Sequence, residues 1–364
     1  MMHNATAMTE SLQSVAPAGL QRNVPLAPLT TLGIGGPAKL FARAENVDEI
    51  REVIAWAEAR REPLFILGGG SNVLIADQGF DGVVLQIDLR GMTVLTEDPD
   101  AVIVYVAAGE RWDDFVAFAV DRGWAGIECL SGIPGLTGAT PIQNVGAYGQ
   151  EVSETIVGVE AIERDTGRVV TLTNLECGFG YRQSVFKNAS RDRYVVAGVT
   201  FRLKPGGSAT IRYPELQKYL DEHEIGANDL QQVRGAVIAI RKRKGMVLDP
   251  SDPDTRSDGS FFMNPVVTPA RFDELLQLAA TKNVPHFPFG DQIKLSSAWL
   301  IEQAGFQKGF VHGNVGLSTK HTLAVINRGG GTAREVLELA GMIQDGVRQR
   351  FGLEIQPEPI FVGV

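Results

Sequence analysis

The feature that most constrains this chain is a glycine-rich segment near its middle, SGIPGLTGATPIQNVGAYG at residues 131–149. The segment contains no charged residue and little helical or strand periodicity. A loop of this length is uncommon in a compact domain unless it has a function, because its backbone groups still need hydrogen-bond partners. Its polar side chains are Thr137, Thr140, Gln143 and Asn144, among others. We therefore expect this segment to wrap a ligand.

A second glycine-rich stretch, ILGGGSN at residues 66–72, lies between two short apolar strands predicted at 64–67 and 73–76. Successive N–H groups in such a turn form a nest for an anion, and glycine permits close approach of a ligand or a positive φ. The stretch is neither the dinucleotide-binding GxGxxG pattern nor a P-loop. Its alternative interpretation is a plain hairpin turn. A third segment of this kind, TTLGIGGPAKL, occupies residues 30–40.

Composition limits the classes of protein to which the chain can belong. Its 364 residues suggest two or three domains. There are 34 Lys and Arg residues against 43 Asp and Glu residues, and the net charge of −9 argues against a general nucleic-acid binder while leaving a small anionic ligand possible. The two cysteines allow at most one disulfide, and the five histidines show no metal-ligand spacing.

The sequence also shows neither a membrane-spanning segment nor a signal peptide. No apolar run approaches the roughly 18 residues that span a membrane. The first 19 residues lack the basic and apolar regions of a signal peptide, so we expect a polar, disordered lead at 1–19. We expect a cytoplasmic protein that binds no membrane, no nucleic acid and no metal.

The hydrophobic periodicity predicts helices and strands that do not alternate strictly, which favours the α+β class. A turn at 204–208, KPGGS, is a candidate module boundary. The pattern predicts helices at 46–62, 112–122, 229–243, 269–282 and 332–351, and strands at 64–67, 73–76, 83–87, 101–107, 157–163, 168–173 and 194–203.

The three glycine-rich segments together resemble the FAD-binding domain of the vanillyl-alcohol-oxidase-type flavoproteins and, within that fold, the UDP-N-acetylenolpyruvoylglucosamine reductase family. Three further motifs stand in that family's order: FGYRQSVFK at 179–187, GSFFMNP at 259–265 and IQPEP at 355–359. The resemblance implies an α+β protein with a two-lobed FAD-binding PCMH-type module at 20–210. A smaller α+β substrate-binding domain would follow at 211–364, and its tail would return to the flavin.

The resemblance also implies noncovalent FAD, NADPH as reductant and a nucleotide-sugar substrate. The reaction would reduce the enolpyruvyl ether of UDP-N-acetylglucosamine enolpyruvate to the lactyl ether of UDP-N-acetylmuramate, in peptidoglycan precursor synthesis. No histidine lies between His3 and His223, and Cys129 precedes the middle loop, so we do not expect a covalent flavin. The cofactor contacts would be Leu67, Gly68, Gly69, Gly70, Ser71, Asn72, Gly135, Thr137, Thr140, Gln143, Asn144, Gly146 and Ala147.

Such a reduction sets requirements for the site. Hydride addition to the terminal alkene carbon leaves negative charge that spreads into the adjacent carboxylate, so the site needs donors at that carboxylate and a proton donor at the carbanion. By motif match, the resemblance assigns Arg182 to the carboxylate, Glu358 to the enediolate if its pKa is raised, and Ser260 to protonation of the carbanion. The substrate-binding residues would be Tyr213, Lys244, Asn264 and Lys294.

Two other functions remain open at this point. An FAD-dependent alcohol or sugar oxidase of the same fold would keep the glycine-rich loops without needing Ser260 and Glu358 together. A nucleotide-sugar binding module without catalysis would be colourless. For the reductase we expect a monomer.

Overall fold

The structure is a computed structural model that describes residues 16–187, 192–279 and 283–364. The strands of the first half are β1 Gln21–Pro25, β2 Pro37–Ala44, β3 Leu64–Leu67, β4 Val73–Ile75, β5 Phe80–Ile87, β6 Met92–Asp98, β7 Ala101–Ala107, β8 Trp124–Ala125, β9 Gly146–Ala147, β10 Gln150–Glu151, β11 Ile156–Glu163, β12 Val169–Thr173 and β13 Tyr194–Pro205. Those of the second half are β14 Val266–Val267, β15 His286–Phe289, β16 Gln292–Leu295, β17 Val311–His312, β18 Val315–Leu317, β19 Val325–Asn327 and β20 Ile360–Val362. The helices are α1 Val47–Arg60, α2 Trp112–Asp121, α3 Pro214–Glu222, α4 Leu230–Arg243, α5 Pro269–Ala279, α6 Ser297–Gln303 and α7 Ala333–Phe351.

Local sequence sets the ends of the long helices. Thr332 and Glu335 form a capping box at the start of α7, and Gly352 closes the helix in the left-handed conformation at φ 58°. The side chain of Asn46 accepts from the N–H of Glu49 at the start of α1, and Arg61 ends that helix at φ 55°. Each helix then buries one apolar face, which for α1 includes Ile50 and Val53.

The described residues divide into two compact units that are not simple halves of the chain. The first unit comprises 38–69 and 81–242 together with the chain up to Val24, and the second comprises 25–37, 70–80 and 243–364. Two segments from the N-terminal third, which carry TTLGIGG and part of ILGGGSN, therefore belong to the second unit.

The first unit is built on two sheets. One has the strand order β1-β2-β5-β3, and the other has the order β12-β11-β13-β7-β6 with β8 added to β13. Aromatic side chains of α2 and β13 form the centre of its core: the ring centroids of Phe115 and Phe201 lie 4.9 Å apart, and those of Trp112 and Phe201 lie 5.8 Å apart.

The second unit contains three small sheets against helices α5, α6 and α7. Their orders are β14-β16-β15, β17-β18-β19 and β20-β4. The last is a parallel pair in which Ile360 lies opposite Val73 and Val362 opposite Ile75. Phe261 and Phe262 are almost fully buried in the core of this unit.

The predicted class is confirmed, since helices and sheets mix without regular alternation and most strand pairs are antiparallel. The predicted strands at 64–67 and 101–107 coincide with β3 and β7. The last three positions of the helix predicted at 269–282, and most of the lead predicted at 1–19, lie outside the described residues. The domain boundary predicted between 210 and 211 stays a prediction, because a compact unit is not by itself a functional domain.

Candidate active site

The ILGGGSN segment joins two strands that are not paired with each other. β3 pairs in parallel with β5, whereas β4 pairs in parallel with β20. The hairpin interpretation of this segment is therefore wrong. Leu67, Gly68 and Gly69 belong to the first unit, and Gly70, Ser71 and Asn72 to the second.

The glycines of this segment approach other backbone directly. In the first unit, a Cβ on Gly69 would lie 2.8 Å from Cα of Gly135, so the two glycine-rich loops meet backbone to backbone. In the second unit, Gly70 has φ 61°, and a Cβ on it would lie 2.0 Å from the carbonyl oxygen of Leu29. The expected need for glycine holds, but at Gly69 its reason is contact with protein backbone and not a positive φ.

Much of the backbone of the 131–149 loop is hydrogen-bonded within the protein. The N–H of Thr137 donates to the carbonyl of Glu110 at 2.8 Å, and that of Gly138 to the carbonyl of Ala108 at 2.9 Å. The hydroxyl of Thr140 donates to the carbonyl of Thr137 at 2.8 Å. In contrast, the hydroxyl of Thr137 is buried and has no hydrogen-bond partner among the described residues. A buried hydroxyl of this kind fits a loop that is completed by a polar ligand.

Arg182 holds this loop from the FGYRQSVFK motif. Its Nη2 donates to the carbonyl of Gly146 at 2.9 Å and its Nη1 to the carbonyl of Asn144 at 3.3 Å. The side-chain amide of Asn144 donates to Glu151 at 2.7 Å and its oxygen accepts from the N–H of Ser153 at 3.1 Å. Asn144 and Arg182 both have positive φ, 46° and 55°, a conformation that costs non-glycine residues about 1–3 kcal/mol and is typical of functional sites.

A buried carboxylate that the sequence pattern does not predict joins the two ends of this loop. Glu128 is fully buried and accepts from the N–H of Gly126 and the side chain of Gln150, both at 2.7 Å. The oxygen of Gln150 in turn accepts from the N–H of Cys129 at 2.9 Å. The only sequence signal was a single charged residue inside the apolar run WAGIECL, at 124–130.

The second unit brings the GSFFMNP and IQPEP motifs together. The N–H of Glu358 donates to the carbonyl of Phe261 at 2.8 Å, and that of Met263 to the carbonyl of Gln356 at 2.9 Å. Asn72 also holds the tail, since its amide donates to the carbonyl of Glu358 at 3.4 Å and its carbonyl accepts from Ile360 at 3.0 Å. Ser260 is partly exposed and follows Gly259, whose φ is 78°.

The predicted substrate residues lie in both units. In the first unit, the ring of Tyr213 packs edge-on against that of Tyr148, with 5.5 Å between the ring centroids. Burial raises the pKa of the Tyr213 hydroxyl.

In the second unit, Asn264 precedes β14 and its side-chain oxygen accepts from the N–H of Ser297 at 2.9 Å. Lys294 lies on β16 with its Nζ 5.4 Å from the ring centroid of Phe289. Lys244 follows α4. Burial of His321 lowers the pKa of its imidazole to about 4, and the nearby charge of Lys244 contributes to this shift.

Both cysteines are buried and unbridged. Burial raises the pKa of the Cys129 thiol, and it raises that of Cys177 to about 12. These thiols are therefore poor nucleophiles near neutral pH. Within the described ranges, no helix is long and apolar enough to cross a membrane.

Comparison with sequence families gives two matches. The FAD binding domain family matches residues 38–173. The family described as the C-terminal domain of UDP-N-acetylenolpyruvoylglucosamine reductase matches residues 250–362.

Individual relatives extend over nearly the whole chain. A UDP-N-acetylenolpyruvoylglucosamine reductase from Thermobifida fusca is 49% identical over 350 residues, which is 94% of this chain and 98% of the relative. One from Streptomyces coelicolor is 45% identical over 97% of this chain and 92% of its own length. The crystal structure of the enzyme of this name from Thermus caldophilus superposes with a TM-score of 0.64 at 24% identity, covering 94% of this chain and 99% of its own. That likeness confirms the predicted fold.

Proposed function

This chain belongs to the UDP-N-acetylenolpyruvoylglucosamine reductase family, and we propose that Arg182, Ser260 and Glu358 carry out its reaction. The protein is an FAD-dependent oxidoreductase that uses NADPH to reduce UDP-N-acetylglucosamine enolpyruvate to UDP-N-acetylmuramate. The sequence relationship favours this activity over the oxidase of the same fold. Residues 20–210 would hold FAD and 211–364 the nucleotide sugar, in line with the matches at 38–173 and 250–362.

The residues of the first unit fit FAD. The buried, unpartnered hydroxyl of Thr137 offers a donor in a loop that already satisfies its backbone. Gly69 and Gly135 let two such loops approach closely. FAD held there would supply the redox chemistry, which is hydride transfer from NADPH to the enolpyruvyl group. Buried Cys129 and Cys177 support noncovalent binding.

The observation that carries the assignment of roles is the hydrogen bond from the N–H of Glu358 to the carbonyl of Phe261, 2.8 Å long. It fixes the IQPEP tail beside the residue that follows Ser260, although the two motifs are far apart in sequence. A weak acid such as a serine hydroxyl protonates a carbanion only if it is oriented beside that carbon. Buried Phe261 and left-handed Gly259 restrict the backbone on both sides of Ser260.

Each proposed residue then has one task. Ser260 donates the proton to the carbon next to the carboxylate, and Glu358, as the protonated acid, donates a hydrogen bond to the enediolate. Arg182 carries the positive charge that stabilises the developing carboxylate charge, while its Nη atoms keep the loop at 144–146 in position. Lys244, Asn264, Lys294 and Tyr213 bind the nucleotide sugar. We also propose that the protein acts as a monomer in the cytoplasm, on a nucleotide sugar made there.

Anaerobic titration of the purified protein tests this function. NADPH should bleach the flavin absorbance, and the enolpyruvyl nucleotide sugar should restore it without oxygen. An oxidase would instead consume oxygen with an alcohol or sugar and without NADPH turnover. A colourless protein that binds no added FAD would contradict the proposal outright.

A further inference from the structure

Asp113, in the first turn of α2, is a partly buried carboxylate that the reaction described above does not use. Its Oδ1 accepts from the N–H of Gly132 at 2.6 Å, at the start of the 131–149 loop. The same oxygen accepts from Nη1 of Arg234 on α4 at 2.6 Å, and Oδ2 accepts from Nη2 at 2.9 Å. The carboxylate therefore connects the glycine-rich loop with two helices of the first unit.

The N–H of Gly132 needs this acceptor. Gly132 is buried and has φ 72°, a backbone conformation that favours glycine. A buried N–H without an acceptor is costly, so loss of the Asp113 carboxylate should change the path of the loop. The neighbouring residue Trp112 holds the next part of the loop, since its N–H donates to the carbonyl of Gly135 at 3.1 Å. Asp113 extends this set of contacts to Gly132.

Arg234 keeps the Asp113 carboxylate in this position. A bidentate pair of arginine and carboxylate fixes the geometry of both groups. The side chain of Arg234 is 17% exposed and that of Asp113 is 31% exposed, so solvent screens this pair less than a surface pair. Burial raises the pKa of Asp113, but the hydrogen bonds from Arg234 and Gly132 outweigh it and hold the pKa below its usual 3.8. The group is thus ionised at neutral pH.

The next residue, Asp114, has the same place in the helix and different contacts. It also lies in the first turn of α2, but its side chain is 57% exposed and lies 3.7 Å from Nε of Arg111. Both aspartates place a negative charge at the N-terminus of α2, where the helix dipole favours it. Asp113 differs in that it contacts the loop and α4.

We propose that Asp113 is a positioning residue for FAD: held by Arg234, its carboxylate fixes Gly132 and keeps the 131–149 loop in the conformation that binds the cofactor. This inference rests on the proposed function, because it takes this loop as a cofactor contact. It requires no contact between Asp113 and FAD, since a loop held in its binding conformation loses less freedom when the ligand arrives. The match to the FAD binding domain family at 38–173 includes Asp113 and Gly132 but not Arg234. Helix α4, outside the matched region, would therefore contribute to cofactor binding through Asp113.

The test is a double-mutant cycle on the binding of FAD to the deflavinated full-length protein. Asp113→Ala should raise the FAD dissociation constant about tenfold, a usual size for coupling within one hydrogen-bond network, and Arg234→Met should raise it by a similar factor. The double variant should bind FAD about as weakly as Asp113→Ala alone, because both changes break the same connection. Asp113→Asn should bind FAD more tightly than Asp113→Ala, because its amide oxygen can still accept from Gly132.

Asp114→Ala is the matched control, since it removes a charge from the same helix turn and should leave FAD affinity unchanged. Urea unfolding of each apoprotein separates loss of stability from loss of affinity. Should Asp113→Ala not fold, Asp113→Asn and Arg234→Lys repeat the cycle, with the same non-additive result expected. Equal FAD dissociation constants in the Asp113 and Asp114 variants would overturn the inference, and so would additive effects of the Asp113 and Arg234 changes. In either case bleaching of the wild-type flavin by NADPH would leave the proposed function standing.

Discussion

Neighbouring glycines at 68–70 differ in what a side chain would meet. A Cβ on Gly68 would make an ordinary contact, 3.8 Å from Cβ of Ala139. One on Gly69 would lie 2.8 Å from backbone of Gly135, where neither partner can move without shifting a loop. Gly69 therefore requires glycine for space, as does Gly70 beside the carbonyl oxygen of Leu29, whereas Gly68 meets no protein atom closely.

Gly69→Ala should therefore weaken FAD binding strongly, by displacing the 131–149 loop, whereas Gly235→Ala, where a Cβ would meet no atom within 4 Å, should retain FAD. The measurement is the flavin content of each purified variant and its dissociation constant after reconstitution, with circular dichroism to confirm that both fold. Normal FAD retention in Gly69→Ala would mean that the meeting of the two loops is irrelevant to the cofactor.

At the residue scale, the local sequence alone predicts the glycine-rich loops, because a long uncharged segment has few explanations. It does not predict the partners of Asn144, whose amide binds Glu151 and Ser153. Nor does it predict that Asp258 is buried without a hydrogen-bond partner among the described residues, since an aspartate before glycine is usually an exposed turn residue. Burial and hydrogen-bond satisfaction are properties of the folded chain, and they identify both residues.

At the scale of elements, the parallel pair of β4 and β20 is the contact that positions the tail. Its strands are nearly 300 residues apart in the chain, at 73–75 and 360–362. Each strand has only three residues, too few for a periodic signal, and the local pattern predicts β4 without its partner. Parallel pairing between such distant segments is set by the tertiary fold and not by local pattern.

Ile360→Pro tests what this pair does for catalysis. Proline removes the N–H that donates to the carbonyl of Asn72 at 3.0 Å, so the tail that carries Glu358 loses an anchor. A displacement near 1 Å costs about 10²-fold in rate. We expect reoxidation by the enolpyruvyl substrate to slow by about that factor in stopped-flow absorbance, while reduction by NADPH changes little. Ile360→Val keeps the N–H and is the control; equal slowing in both variants would mean that the anchor is unimportant.

At the scale of the whole molecule, the two compact units are assembled from interleaved segments of chain. The α+β class can be predicted from the order of helices and strands in the sequence. The assignment of residues 25–37 and 70–80 to the second unit cannot be predicted in this way. Only long-range packing decides it: Leu32, Ile34 and Leu74 are buried with the C-terminal residues of this unit.

Stability at mildly acidic pH should depend on His321. Burial, together with Lys244 and Lys308, lowers its pKa from 6.5 to about 4. Below pH 6.5 the unfolded chain binds a proton that the folded chain does not, so the free energy of unfolding should fall as the pH drops from 6.5 to 4. Urea unfolding of His321→Asn over this range should show a shallower decrease. His223→Asn, at an exposed site, should leave the slope in place, and identical slopes for His321→Asn and the wild type would rule out this role.

The central claim is that Ser260 gives the proton that completes reduction of the substrate. Stopped-flow measurement of the two half-reactions in Ser260→Ala tests it most directly. Reduction of FAD by NADPH should proceed at nearly the wild-type rate, because no proton is needed at the substrate. Reoxidation by the enolpyruvyl nucleotide sugar should slow by about 10²–10⁴-fold or more, the usual value of a general acid, and Ser260→Cys should recover part of the rate. Equal slowing of both half-reactions would contradict the claim and assign Ser260 to the flavin site or the fold.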